Sequence, residues 1–416
     1  MTSFSIQSFG CRVNQAEAFL WADEFQKNGL RYKENPFKSD FVLLNTCTIT
    51  SRADRDVRSF IRKISRLNPK AQLILTGCYV ERAPEELRNL PLVSHIFSNK
   101  EKNSLAEKVL SHVNSREKIS NRLYRSRALV KIQDGCDFRC AFCIIPSVRG
   151  KSISTEKGKI LYLVKKYTEE GFREIVLTGI HLCLYGFDLK HKSSLLELLK
   201  EIEALEGLGK VRLSSLDPRL LSHSLLAHIT SSKKICPHFH LSLQHGSDNI
   251  IHRMGRKVDV AHYRKIITYL RQALPAASIG ADIIVGFPGE TEDDFKKTYI
   301  FLDQSPLTYF HVFPYSPRPG TEASKWPQVK DKVKKERAGL LRKLSAEKNT
   351  RFRHIFLGKE FNAVVIKKEN SAAQVLTSNY FKVFIPSCPV REKEEVKIKI
   401  TDVNSKETRG KIINAG

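Results

Sequence analysis

Long apolar runs are missing from this chain of 416 residues: none approaches the roughly 18–20 that cross a bilayer, so no membrane partner is expected. The opening stretch, "MTSFSIQSFGC", has neither a basic segment nor an apolar core of the kind that directs secretion, so the expected location is the cytoplasm. Thiols are kept reduced there. Nine cysteines, an odd number, are then better explained by metal binding or catalysis than by disulfides. Low-complexity tracts are absent, and no repeat is found beyond a strand–helix unit. Acidic residues are scarce: 44 Asp plus Glu stand against 70 Lys plus Arg, a net charge of +26. An excess of that size implies a polyanionic partner, by default a nucleic acid. The positive charge is also clustered. Ten basic and three acidic residues lie between Lys330 and Arg353, and seven and two between Arg52 and Lys70. Apolar residues at 41% and aromatics at 9% are ordinary for a globular chain and exclude a disordered one.

Along the chain the pattern changes twice. Over about 1–115, "FSIQSFG", "DFVLLNT" and "QLILTG" are short apolar runs ending at turn-prone residues, which predicts buried strands. Between them, Gln15 to Lys27 and Ser51 to Leu67 have helical spacing. Val57, Ile61 and Ile64 share one face of the second, and arginines share the other. Such alternation predicts a parallel α/β sheet. Each strand is followed at once by a cysteine (Cys11, Cys47, Cys78), and ligand sites in such sheets sit at the carboxyl ends of the strands. A free cysteine often only fills space; three in one topological position point instead to a shared site.

Over about 125–325 six candidate strands alternate with helical stretches: "ALVKIQDG", "EIVLTGIH", "KVRLSSLD", "HFHLSLQHG", "SIGADIIVG" and "TYFHVFPYS". Six parallel strands make most of a barrel that needs eight to close. A proline-rich linker leads to a basic helix over 330–353. Val333, Leu340, Leu341 and Leu344 are expected to pack inward there and the lysines and arginines outward. A helix of this pattern is also compatible with a solvated linker. From about 358, "KEFNAVVIKK", "AAQVLTS", "YFKVFIP" and "EEVKIKITDV" alternate polar and apolar residues, which predicts a small β-barrel. The expected architecture is α/β in three parts: an N-terminal parallel α/β domain (1–115), a central partial (β/α)6 barrel with the basic helix (122–353), and a small C-terminal β-barrel (354–416).

The strongest local signal is "DGCDFRCAFC", with Cys136, Cys140 and Cys143 spaced C-x3-C-x2-C directly after the first central strand. Structural zinc closes four protein ligands. Here the local set stops at three, and His181 and Cys183 are the candidates for a fourth. Ferredoxin-type runs carry a fourth cysteine before a proline, which this loop lacks. Three thiolates with one open iron suit an iron–sulfur cluster that binds a small ligand, and an open coordination position marks a catalytic metal.

With aromatic Phe142 before its last cysteine, this loop resembles the signature of the radical S-adenosylmethionine superfamily. That resemblance implies a 4Fe-4S cluster on Cys136, Cys140 and Cys143, the catalytic set. Its open iron would chelate S-adenosyl-L-methionine and deliver the electron that yields a 5′-deoxyadenosyl radical. It also implies that Phe142, Thr178, Gly179, Ser214, Gln244 and Gly286 surround that cofactor. More narrowly, "GCRVNQAEA", "LNTCTIT" and "GCYVE" resemble the three N-terminal cysteine motifs of the methylthiotransferases, and the order of the three parts resembles that family along the whole chain. The family likeness implies a second 4Fe-4S cluster on Cys11, Cys47 and Cys78, holding the sulfur that is methylated and transferred. It also implies a TRAM-like, RNA-binding role for the C-terminal barrel.

Within the family, "EIVLTGIH", "RLSSLDP", "HFHLSLQHGSD" and "HVFPYSPRPGT" look like the branch acting on N6-threonylcarbamoyladenosine at position 37 of tRNA, which adds a methylthio group at C2. The isopentenyladenosine branch usually has Gly-Gln-Asn where this chain has Gly179-Ile180-His181. His245 departs from the family, which more often has serine there. The implied partners are the tRNA anticodon stem-loop, an electron donor and a sulfur donor. Lys334, Lys335, Arg342 and Lys343, together with the Arg52–Lys70 face, would grip the phosphates. Three alternatives stay open: methylthiolation of isopentenyladenosine, methylthiolation of a ribosomal-protein aspartate, and a zinc-containing nucleic-acid-binding protein that is not an enzyme. Cys183, Cys236 and Cys388 lack partners at ligand spacing and are read as structural thiols.

Overall fold

The computed structural model describes residues 2–111 and 126–415. The expected boundary between the first two parts, at 115–122, lies outside the described residues. The N-terminal sheet has five parallel strands in the spatial order Arg31–Tyr32, Ser3–Ser8, Phe41–Thr46, Gln72–Gly77, Val93–Phe97. Its middle strand, Phe41–Thr46, is buried at every residue, as a parallel strand covered on both faces should be. The helix Ser51–Leu67 starts where the Thr50 hydroxyl accepts from the Ala53 amide, and it buries Val57, Ile61 and Ile64 as their spacing predicts. The two outer strands were not expected. Arg31–Tyr32 is too short for a pattern, and Val93–Phe97 is a half-buried edge with serine and histidine inside it.

The central part contains all six expected strands, each parallel to the next. Ala128–Lys131, Glu174–Thr178 and Lys210–Leu213 form one group. Ser215–Leu216, His238–Gln244, Ser278–Val285 and Tyr309–Pro314 form the other. The third strand breaks at Ser214, so its first half pairs in one group and its second half in the other. Five helices alternate with these strands: Lys157–Glu169, Leu195–Glu203, His223–Ser231, Val260–Ala273 and Glu292–Gln304. The largest apolar core of the chain fills the space between them.

The basic helix, Asp331–His354, completes the last strand–helix unit. Ser345 bonds both the amide and the carbonyl of Phe310, while Ala338, Leu341 and Leu344 enter the barrel core. The inward face differs from the expected one: Leu340 is 52% exposed, whereas Lys334 and Arg337 are buried. The spacing 334, 337, 338, 341, 344 is a regular helical stripe that runs through two basic residues. Their apolar stems bury, and their heads pair with Asp331 (3.3 Å) and with Glu290 and Glu292 (3.1 and 2.9 Å).

The C-terminal strands close into a five-stranded barrel in the order Glu360–Glu369, Ala372–Thr377, Lys382–Ile385, Thr408–Ala415, Glu395–Val403. Val365, Val375, Val383, Ile385, Ile398 and Ile400 fill it. Four of the strands match the expected alternation; Thr408–Ala415 is additional. Among the described residues no helix is long and apolar enough to cross a membrane.

Candidate active site

Cys11, Cys47 and Cys78 follow three strands that are neighbours in the N-terminal sheet, so the fold brings together thiols far apart in sequence. Two glycines permit the close approach. A Cβ at Gly10 (φ +86) would sit 2.5 Å from the Cys47 Sγ, and one at Gly77 (φ +102) would collide with the Thr46 backbone. Burial, with the neighbouring Cys11 and Cys78 adding to it, pushes the Cys47 thiol up to about 12. Burial raises Cys11 as well, opposed by the cation of Arg149.

The second triplet lies on a loop pinned by its own backbone. The Cys143 amide donates to the Cys140 carbonyl at 2.9 Å, Cys136 to Gly150 at 3.1 Å, and Ala141 to Met254 at 2.9 Å. Gly135 (φ +68) starts the loop where any Cβ would strike the Lys151 carbonyl. Burial pushes Cys143 up to about 12, with Cys140 and Cys136 contributing, and it raises Cys136 too. The buried Cys47 and Cys143 thiols therefore hold their protons until a cation displaces them. Among the described residues, no three His, Cys, Asp or Glu side chains are grouped tightly enough to hold a single metal ion.

One cavity of about 670 Å³ reaches both sets: Cys11 and Cys47 line it from one side and Phe142 and Cys143 from the other, while Cys78, Cys136 and Cys140 stand behind its lining. Thr178, Gly179, Ser214 and Gln244 line it as well. The Thr178 and Ser214 hydroxyls are buried there without partners among the described residues, which fits a polar ligand filling the space. Gln244 takes a positive φ of +77 beside a register shift in its strand, a strained backbone at a position that lines the cavity. Gly286 is not part of the lining; its Cα faces the Lys334 side chain. Lys334 in turn is packed inside the fold, so it leaves the expected basic face. Lys335, Arg342 and Lys343 remain exposed, and Arg342 donates to the Val312 carbonyl at 3.1 Å.

The residue that sequence reasoning missed is Arg149. Its guanidinium side chain is 1% exposed; Nε donates to the Cys78 Sγ at 3.2 Å and Nη1 to Asp134 at 2.7 Å and Glu17 at 3.2 Å. It sits six residues beyond Cys143, and so ties one triplet's loop to the other triplet's thiol. Burial alone would raise the Glu17 carboxyl, yet Lys102, Lys131 and Arg149 hold it well below the usual range. The motif "GCRVNQAEA" contained the signal, since Asn14 and Glu17 are both members of this network. His245 is fully buried and accepts from the Ser247 amide at 3.1 Å, so its departure from the family lies in the core and not in the cavity. Cys183, Cys236 and Cys388 are buried and do not line the cavity.

Two family models match the chain. Residues 3–98 match the uncharacterized protein family UPF0004, and residues 130–302 match the radical SAM superfamily. A threonylcarbamoyladenosine tRNA methylthiotransferase MtaB from Aquifex aeolicus is 37% identical, across 91% of this chain and 95% of that protein. Proteins of the same name from Thermotoga maritima and Bacillus subtilis are 34% and 32% identical, across 86% and 92% of this chain and 86% of each of them. The chain belongs to the MtaB-type radical SAM methylthiotransferases. As a radical SAM protein it takes S-adenosylmethionine and a 4Fe-4S cluster. Among solved structures, the radical S-adenosylmethionine methyltransferase TsrM from Kitasatospora setae shares the methylthiotransferase chain's fold. The TM-score is 0.55 at 12% identity, covering 78% of this chain and 77% of that one.

Proposed function

We propose that the protein places a methylthio group on C2 of N6-threonylcarbamoyladenosine at position 37 of tRNA. The observation that carries this reading is one cavity lined by Cys11 and Cys47 of the sheet triplet and by Cys143 of the loop triplet. C2 of an adenine is an unactivated aromatic carbon, and sulfur insertion there takes a radical route. The bound cofactors supply that route: one 4Fe-4S cluster with S-adenosylmethionine as radical source, and a second cluster from which methylated sulfur is transferred. The chain's own residues hold and enclose them. Cys136, Cys140 and Cys143 provide three thiolates on the barrel side, and Cys11, Cys47 and Cys78 provide three on the sheet side. Thr178, Ser214 and Gln244 orient S-adenosylmethionine, and Phe142 packs beside its cluster.

On this reading residues 1–115, 122–353 and 354–416 act as sulfur-carrying, radical-generating and RNA-binding units, and the protein works in the cytoplasm with tRNA. Lys335, Arg342 and Lys343 on the last central helix, with Arg55, Arg62 and Arg66 on Ser51–Leu67, offer exposed cations for the anticodon stem-loop phosphates. The relatives named for threonylcarbamoyladenosine favour that base over isopentenyladenosine. Nucleoside mass spectrometry of tRNA from a deletion strain tests it: the 2-methylthio derivative should vanish and N6-threonylcarbamoyladenosine accumulate. Loss of methylthio-isopentenyladenosine instead would overturn the substrate assignment.

A further inference from the structure

Among the described residues, the cavity carries one permanent cation in its lining, Arg12. Its Nη2 donates to the Tyr380 hydroxyl at 3.0 Å, and the guanidinium stands 5.5 Å from that ring's centre. Nη1 is buried with no partner among the described residues. The tether comes from another part of the fold: Tyr380 lies between the barrel strands Ala372–Thr377 and Lys382–Ile385. It has a positive φ of +75 that an aromatic residue adopts only when its surroundings hold it there. His238 stacks on it at 4.0 Å, and Arg212 lies 5.0 Å from its ring centre. The neighbouring turn is fixed by Ser278 donating to the Asn379 carbonyl at 2.6 Å and Asn379 to Ala276 at 3.1 Å. The carboxylate in the same lining, Asp282, is taken up by His240 at 3.1 Å. Arg12 is therefore a preorganised guanidinium with one face spent on its tether and one donor still unspent.

We propose that Arg12, held by Tyr380, recognises the carboxylate of the threonylcarbamoyl group. The inference rests on the function proposed above and names the residue that reads its substrate. A threonylcarbamoyl group ends in a carboxylate at neutral pH, whereas an isopentenyl group is neutral and apolar. C2 and C6 of adenine both flank N1, so the N6 substituent leaves the ring in a different direction from the C2–H bond. Arg12 directly follows the thiol Cys11, and its head extends from there to Tyr380, so an adenine presenting C2 to the thiols has this guanidinium within the same cavity for its N6 substituent. The unspent Nη1 suits a carboxylate as a charge-assisted donor. A buried cation left without its anion disfavours a neutral substrate, so the same residue selects for one base and against the other.

The test is equilibrium binding of the cluster-loaded protein to three anticodon stem-loop RNAs, which carry N6-threonylcarbamoyladenosine, its methyl ester, or plain adenosine. The wild type should favour the acid over the ester by about 10-fold or more, the size of a charge-assisted hydrogen bond. In Arg12→Gln that ratio should fall to about 1, and Arg12→Lys should keep part of it. Tyr380→Phe, which leaves the charge but removes the tether, should lower the ratio several-fold and decides the matter if the glutamine variant fails to fold. A wild-type ratio retained in either variant overturns the proposal. So does a wild type that binds acid and ester alike while still preferring both over adenosine, and that outcome leaves the function standing. Equal binding of the threonylcarbamoyl and plain adenosine RNAs would instead sink the function itself.

Discussion

The two thiol triplets reach similar surroundings by opposite routes. Cys136, Cys140 and Cys143 lie within eight residues, and one loop with its own hydrogen bonds sets their geometry. Cys11, Cys47 and Cys78 span 68 residues and are set by strand order, register and two left-handed glycines. A local site depends on a loop; a distributed site depends on a whole sheet. Damage to the N-terminal sheet should thus reach its thiols from far away, while the loop should tolerate distant changes.

The largest test of that contrast removes each set in turn. Replacing Cys136, Cys140 and Cys143 with alanine should abolish both S-adenosylmethionine cleavage and methylthiolation, and reduce iron from about eight per chain to about four, the content of one 4Fe-4S cluster. Replacing Cys11, Cys47 and Cys78 should abolish methylthiolation but leave cleavage to 5′-deoxyadenosine. Iron analysis and product chromatography on anaerobically reconstituted protein read both. Loss of cleavage in the second variant, with its barrel cluster intact, would end the division of labour.

Next in size is Gly10→Ala, which meets both a positive φ and the Cys47 sulfur. It should cost on the order of 2 kcal/mol or more and strip iron from the N-terminal set first. Gly339→Ala is its opposite, an exposed helical position with open space, and should stabilise by about 1 kcal/mol. Denaturant midpoints of the two variants should move in opposite directions.

Protons separate apo from loaded protein. Because burial raises Cys47 and Cys143 to about 12, the apo thiols are protonated at neutral pH and must release protons on binding iron. Affinity should therefore rise with pH below that value, and titration in weak buffer should show acid release. A pH-independent affinity would mean the thiols are already ionised.

The smallest effect concerns RNA. Changing Lys335, Arg342 and Lys343 to glutamine should lower the slope of log affinity against log salt by about 0.7–0.9 for each phosphate that the helix no longer neutralises. Filter binding across a salt series would show it, and an unchanged slope would assign the phosphates to the Ser51–Leu67 face.

The same contrast explains what is legible in the sequence. Spacing reveals the loop triplet, and strand-end position reveals the other, because each rests on short-range pattern. Arg149 does not show itself: its partners Glu17 and Asn14 lie more than a hundred residues away, and only the docking of the sheet on the barrel joins them. Lys334 escapes a reading by charge, because a lysine suggests exposure while the helical stripe runs through it. The strained Gln244 reflects a register shift between two strands, which one strand's sequence cannot encode alone. The fifth barrel strand, "TRGKIINA", is hidden by Gly410, which is needed there because a Cβ would lie 2.8 Å from the Lys399 carbonyl.

The helix Arg12–Lys27 serves two masters. Trp21, Ala22 and Phe25 fill the core of the N-terminal sheet, whereas Phe19 enters the barrel core and Ala16 packs on Leu129 and Val176. Neither unit is finished without it. An isolated N-terminal fragment would present Phe19 and Ala16 to water, and an isolated barrel would leave its first strand with an uncovered apolar flank. The pair should therefore melt as one cooperative body. The N-terminal sheet is thus no detachable module, because its first helix is already part of the barrel core.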